Sequence, residues 1–83
     1  MTLTELRPFT PAIVARIEQR SENDPIARRL VELGFVPGEP IDVVALAPVS
    51  KDPLVVRIGT ARFALRRDEA RRIQVTLKSD VHA

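Results

Sequence analysis

Seven prolines and three glycines cut this 83-residue chain into short pieces. Proline withholds a backbone donor and fixes φ, and glycine marks turns, so the segments between them read as short strands joined by turns. A chain of this length has room for one hydrophobic core and one domain. Hydrophobic residues make up 45% of it, enough for a folded domain, but the aromatic ones are only Phe9, Phe35 and Phe63. The core must therefore be aliphatic. There is no Cys, which excludes disulfides, thiolate metal sites and thiol chemistry. No apolar run approaches the 18 residues of a membrane span. The N-terminal stretch lacks the apolar core of a secretion signal, so a cytoplasmic location is expected.

Several segments are legible one by one. Thr2-Leu-Thr-Glu5 fits a capping box over a short helical turn that seats Leu3 and Leu6 on the core. Ala12–Glu18 alternates, grouping Ile13, Ala15 and Ile17 on one side of a half-buried strand. After the polar break at Ser21–Asp24, Asp24 is the N-cap and Pro25 the first helical residue of a helix over 24–34. Ile26, Leu30 and Leu33 form its inner stripe, Arg28, Arg29 and Glu32 face out, and Gly34 stops it. Pro37-Gly38 fits a type II turn. Strands are then expected at Ile41–Ala47, Leu54–Ile58, Arg62–Leu65 and Ile73–Leu77. Between them fall a loop at Pro48–Pro53, a tight hairpin at Gly59-Thr60 and a helical turn at Arg67–Arg71. The tail Lys78–Ala83 is expected to fray.

Five short antiparallel strands can bury their apolar faces on one another only by curling into a small barrel. A helical turn just before the last strand is the SH3-like arrangement. An OB-like barrel also has five strands and a helix, but its helix falls between the third and fourth strands. The expected fold is a mainly β, five-stranded SH3-like barrel with one inserted helix and short helical turns. It forms a single domain over 1–83, with its core at about 3–77 and a tail at 78–83.

Three segments in order resemble one family. Ala27–Gly38 (ARRLVELGFVPG), Ala47–Leu54 (APVSKDPL) and Phe63–Val75 (FALRRDEARRIQV) are similar to the corresponding segments of the FeoA family. The family usually carries a Gly before the first strand, where this chain has Arg7-Pro8-Phe9-Thr10-Pro11, and a Gly near Ser50-Lys51. The resemblance implies an SH3-like barrel that supports ferrous-iron uptake by contacting FeoB, a membrane transporter with a cytosolic G-protein domain. It also implies that the membrane is reached only through that partner. The same barrel is the C-terminal domain of DtxR-like metal-dependent repressors, so a regulatory domain acting with a transcription factor is an alternative.

The charge is unevenly distributed along the chain. Lys and Arg total 13 against 11 Asp and Glu, a net of +2. Residues 57–72 alone hold six Arg against Asp68 and Glu69. A small nucleic-acid-binding barrel is a further alternative, but it would stack bases on aromatic side chains, and this stretch offers only Phe63, whose alternation with Leu65 assigns it to the core. No P-loop, dinucleotide fingerprint or nucleophile elbow is present, so no catalytic residue is assigned. Polyproline recognition is disfavoured for want of an aromatic row. The one imidazole, His82, could take a divalent transition metal weakly with Asp80, and only with ligands from a second molecule. No resident cofactor and at most a weak homo-oligomer are expected. Arg28, Arg29 and Glu32 on the helix, with Arg66 and Arg67 beside the last helical turn, are the partner-binding candidates, because Arg is enriched at protein interfaces.

Overall fold

The computed structural model describes residues 1–81 of the chain. Five strands, β1 (Ala12–Ile17), β2 (Pro40–Leu46), β3 (Leu54–Ile58), β4 (Ala61–Leu65) and β5 (Ile73–Leu77), form one antiparallel sheet. Their order is β4-β3-β2-β1-β5. Helix α1 (Pro25–Leu33) lies between β1 and β2, and the one-turn α2 (Arg67–Ala70) lies between β4 and β5. β4 and β5 are thus consecutive in sequence yet stand at opposite edges of the sheet. A single hydrophobic cluster takes buried residues from all five strands, including Leu65 of β4 and Ile73 of β5. The sheet is therefore wrapped around its own contents, as an SH3-like barrel requires.

The local signals act as elementary chemistry dictates. Asp24 caps α1, with its Oδ1 accepting from the Ile26 and Ala27 amides at 3.0 and 3.4 Å, and Gly34 closes it at φ +111°. Leu30 and Ala27 are buried, and Ile26 and Leu33 pack against the core from its margin. β3 buries Leu54, Val56 and Ile58 on one face. Gly59, at φ +57°, makes the two-residue turn that pairs Ile58 with Ala61. Leu3 and Leu6 are buried by the N-terminal 3-10 turn, whose Thr2 amide donates to Glu5 at 2.9 Å. Phe35 is fully buried, and its ring centroid lies 5.7 Å from that of the half-buried Phe63.

Two features depart from the expected pattern. The inward residues of β1 are Ala12 and Val14, with Ile13 half-buried and Ala15 exposed. A bulge between Val14 and Arg16 breaks the register with β5, so one residue is spent without a partner and the pleat changes phase. The grouping of Ile13, Ala15 and Ile17 assumed an unbroken pleat. After β5, Lys78–Asp80 forms a 3-10 turn where fraying is expected, because the Lys78 amide is held by the Pro11 carbonyl at 3.1 Å.

Candidate partner-binding surface

The surface begins with a buried ion pair. The Asp24 carboxylate is 3% exposed and accepts four hydrogen bonds. Three come from the amides of Arg20, Ile26 and Ala27, and the fourth from Arg72 Nε at 2.8 Å. The Arg72 bond and the amide donors hold this carboxyl well below the usual carboxylate range. Asp24 in return raises the already high pKa of Arg72. Arg72 Nη1 also donates to the Asp68 carbonyl at 2.8 Å and to Asp68 Oδ2 at 3.2 Å, while Arg20 reaches Asp68 Oδ1 at 3.3 Å. The start of α1 is thereby tied to α2 and to the entry of β5.

That tether sets α1 and α2 side by side. Arg29 Nη1 lies 3.9 Å from Glu69 Oε2, and Glu69 Oε1 accepts from the Arg66 amide at 2.9 Å. Arg66 Nη1 lies 4.0 Å from Asp52 Oδ1, and the same oxygen accepts from the Arg67 amide at 3.1 Å. Arg29, Glu69, Arg66 and Asp52 make a belt of alternating charge from α1 across α2 to the 47–53 loop. On the other flank of α1, Arg28 and Glu32 border a shallow groove floored by Ile17, Ala27 and Val31, with Val31 46% exposed.

The five partner-binding candidates therefore have different surroundings. Arg28, Arg29, Glu32 and Arg66 are exposed. Arg67 is half-buried, and its guanidinium donates to the carbonyls of Lys51 and Thr4, both at 3.2 Å, so it braces the loop against the N-terminal turn. Sequence reading missed Asp52 and Glu69 as members of the belt, since their partners are 14 and 40 residues away. It also placed Val31 beside the buried stripe, because i, i+4 spacing from the buried Ala27 puts it on the same face, whereas Val31 is 46% exposed.

Among the described residues no three His, Asp or Glu side chains converge as metal ligands. Asp80 is exposed on the C-terminal 3-10 turn, and His82 lies outside the described residues. No helix of the described chain is long and apolar enough to cross a membrane.

A family model for the FeoA domain matches residues 1–77. A protein from Porphyromonas gingivalis, described as a fusion of Fe(2+) transport protein A with the Fe(2+) transporter FeoB, is 39% identical over 79 residues. That match covers 95% of this chain and 9% of the relative, so the chain spans about a tenth of the length of that fusion protein. A crystal structure of Stenotrophomonas maltophilia FeoA complexed with zinc, described as a procaryotic SH3 domain protein, superposes with a TM-score of 0.85 at 51% identity. It covers 92% of this chain and 89% of the other. The solution structure of iron(II) transport protein A from Clostridium thermocellum gives a TM-score of 0.82 at 40% identity, over 95% of this chain and 46% of the other.

Proposed function

The chain belongs to the FeoA domain family, and from that premise we propose that it is a non-enzymatic accessory protein of ferrous-iron uptake that binds the cytosolic part of a FeoB-like transporter. One observation carries this reading: in the Porphyromonas gingivalis relative the equivalent domain is part of the same polypeptide as FeoB. Covalent linkage raises the effective concentration of two modules toward each other, which supports a contact between them. Arg28, Arg29, Glu32 and Arg66 make the contact, with Arg67 positioning the loop beside them. The alternating belt supports this assignment because it offers exposed donors and acceptors of both signs side by side. The barrel acts by binding one conformation of the transporter more tightly than another, which is the only way a bound partner shifts an equilibrium. Such a role places the chain in the cytoplasm, and iron is the transporter's cargo, not a cofactor of this domain. The zinc described for the Stenotrophomonas protein is a property of that protein. Here the described acidic side chains do not converge on a metal, and a site at Asp80 and His82 would need a second molecule.

The test is titration of the purified chain against the cytosolic part of the FeoB-like transporter of the same organism, followed by calorimetry. Binding by the wild-type chain, weakened roughly tenfold or more by Arg28→Glu with Arg29→Glu, is the expected result. Absence of binding by the wild-type chain overturns the reading. Undiminished binding by the folded double variant moves the contact off α1.

A further inference from the structure

β4 is an edge of the sheet, with β3 as its neighbour on one side. The two-residue turn at Gly59-Thr60 makes Ile58 and Ala61 a hydrogen-bonded pair. Pairs of an antiparallel ladder alternate, so Phe63 and Leu65 also exchange bonds with β3, while Arg62 and Ala64 turn their N–H and C=O groups away from it. Among the described residues no hydrogen bond engages those outward groups. They form a short open template.

The side chains beside that template are unevenly charged. A row runs across the outer face of the sheet at one register, from Asp42 on β2 to Arg57 on β3 to Arg62 on β4. Arg57 is committed to Asp42, with Nε to Oδ1 at 3.0 Å and Nη2 to Oδ2 at 2.6 Å, and that carboxylate raises its pKa. Arg62 stands directly opposite Arg57 with no acid of its own among the described ion pairs. Like charges facing each other across strands destabilise a sheet, and an acid on the free side of Arg62 would relieve this. The β3–β4 hairpin, residues 54–65, holds two Arg, Arg57 and Arg62, and no Asp or Glu. Next along the edge, Ala64 is small and leaves room for a larger neighbour, and on the inner face Phe63 is half-buried.

We propose that the β4 edge is a docking site for an extended segment of another protein that adds to the sheet as a sixth strand, with alternating acidic and apolar residues. Its backbone bonds to Arg62 and Ala64, an acidic side chain extends the Asp42–Arg57–Arg62 row, and its apolar side chains lie beside Phe63. Strand addition of this kind takes affinity from the main chain and selectivity from alternate side chains. A second copy of this chain is the wrong occupant. Pairing β4 with its own copy would bring two acid-free, arginine-bearing hairpins together, and a charged edge residue is a common guard against that outcome. The C-terminal end of β4 adjoins Arg66 of the α1–α2 surface, and the peptide probe tests the edge without the transporter.

The probe is a capped eight-residue peptide of alternating valine and glutamate, titrated into the full chain with amide spectra and hydrogen exchange recorded by NMR. The expected result is a set of shifts centred on 61–65, with slowed exchange at the Arg62 and Ala64 amides. The matching valine–lysine peptide should not bind. Ala64→Pro removes only an outward-facing donor, so it should abolish binding and keep the β3–β4 ladder. Arg62→Glu keeps the backbone, and should weaken the glutamate peptide roughly tenfold and admit the lysine peptide. Shifts confined to α1 or the 47–53 loop, or an Arg62→Glu variant that binds both peptides as the wild type does, would overturn the proposal.

Discussion

Arg72→Ala is the substitution that most directly tests how the candidate surface is held. It removes the bond from Nε to Asp24 and both bonds from Nη1 to Asp68. Losing one partner of a buried ion pair costs about 3–5 kcal/mol when the other charge is left bare. Asp24 is not left bare, because the Arg20, Ile26 and Ala27 amides still donate to it. The expected loss is therefore about 2–4 kcal/mol, between a single charge-assisted hydrogen bond and an orphaned charge. That is a large part of the ~4–12 kcal/mol available to a domain of this size. Urea unfolding followed by circular dichroism should show a midpoint lower by about 2 M or more, taking ~1 kcal/mol per M as the slope for a small domain. Asp68→Ala is the internal comparison. It removes the Oδ2 contact of the same guanidinium and keeps the bond to the Asp68 carbonyl; the Asp68 side chain is 57% exposed, so the loss should stay below about 1 kcal/mol. Partner binding should fall in Arg72→Ala at temperatures where it remains folded, since α1 and α2 lose their tether. An Arg72→Ala variant within ~0.5 kcal/mol of wild type, or an Asp68→Ala variant as damaged as it, would refute the assignment of the buried arm as the stronger one.

Two further outcomes follow from the same structure. Because the Asp24 carboxyl is held below its ordinary value, first by Arg72 and then by the amides, its contribution is complete above the unfolded carboxylate range near pH ~4 and is lost as pH falls below it. Unfolding measured from pH 5 down to pH 2 should show a falling midpoint, and the fall should be shallower in Arg72→Met, where the main cause of the shift is gone. Lys51 sits at φ +59° in an exposed loop. There Lys51→Gly relieves about 1–2 kcal/mol of left-handed strain against ~0.5–1 kcal/mol of added chain entropy. Its melting temperature should rise by a few degrees in a thermal scan, and no rise would refute the strain argument.

What the sequence reveals and what it hides divide by range. The helix with its Asp24 cap and Gly34 stop, the Gly59-Thr60 hairpin and the alternation of β3 and β5 are set by neighbours within a few residues, and all are readable without coordinates. The bulge at Ala15 is not, because it depends on which β5 residue Val14 and Arg16 must meet. Two residues with positive φ are instructive. Phe9, at φ +63°, and Lys51 both adopt the left-handed backbone that a glycine would take without cost. There the turn is kept and the residue bears the strain.

The candidate surface shows the same limit more sharply in Arg66 and Arg67. They are adjacent, identical in type and equally plausible as contacts from sequence. The backbone aims Arg66 outward, toward Asp52 and the belt, and turns Arg67 inward onto the Lys51 and Thr4 carbonyls. The difference arises because α2 begins between them, so successive side chains leave the helix start about a quarter-turn apart. Composition can identify an arginine-rich segment. Only the direction of each side chain shows which arginine is open to solvent and which one holds the loop in place.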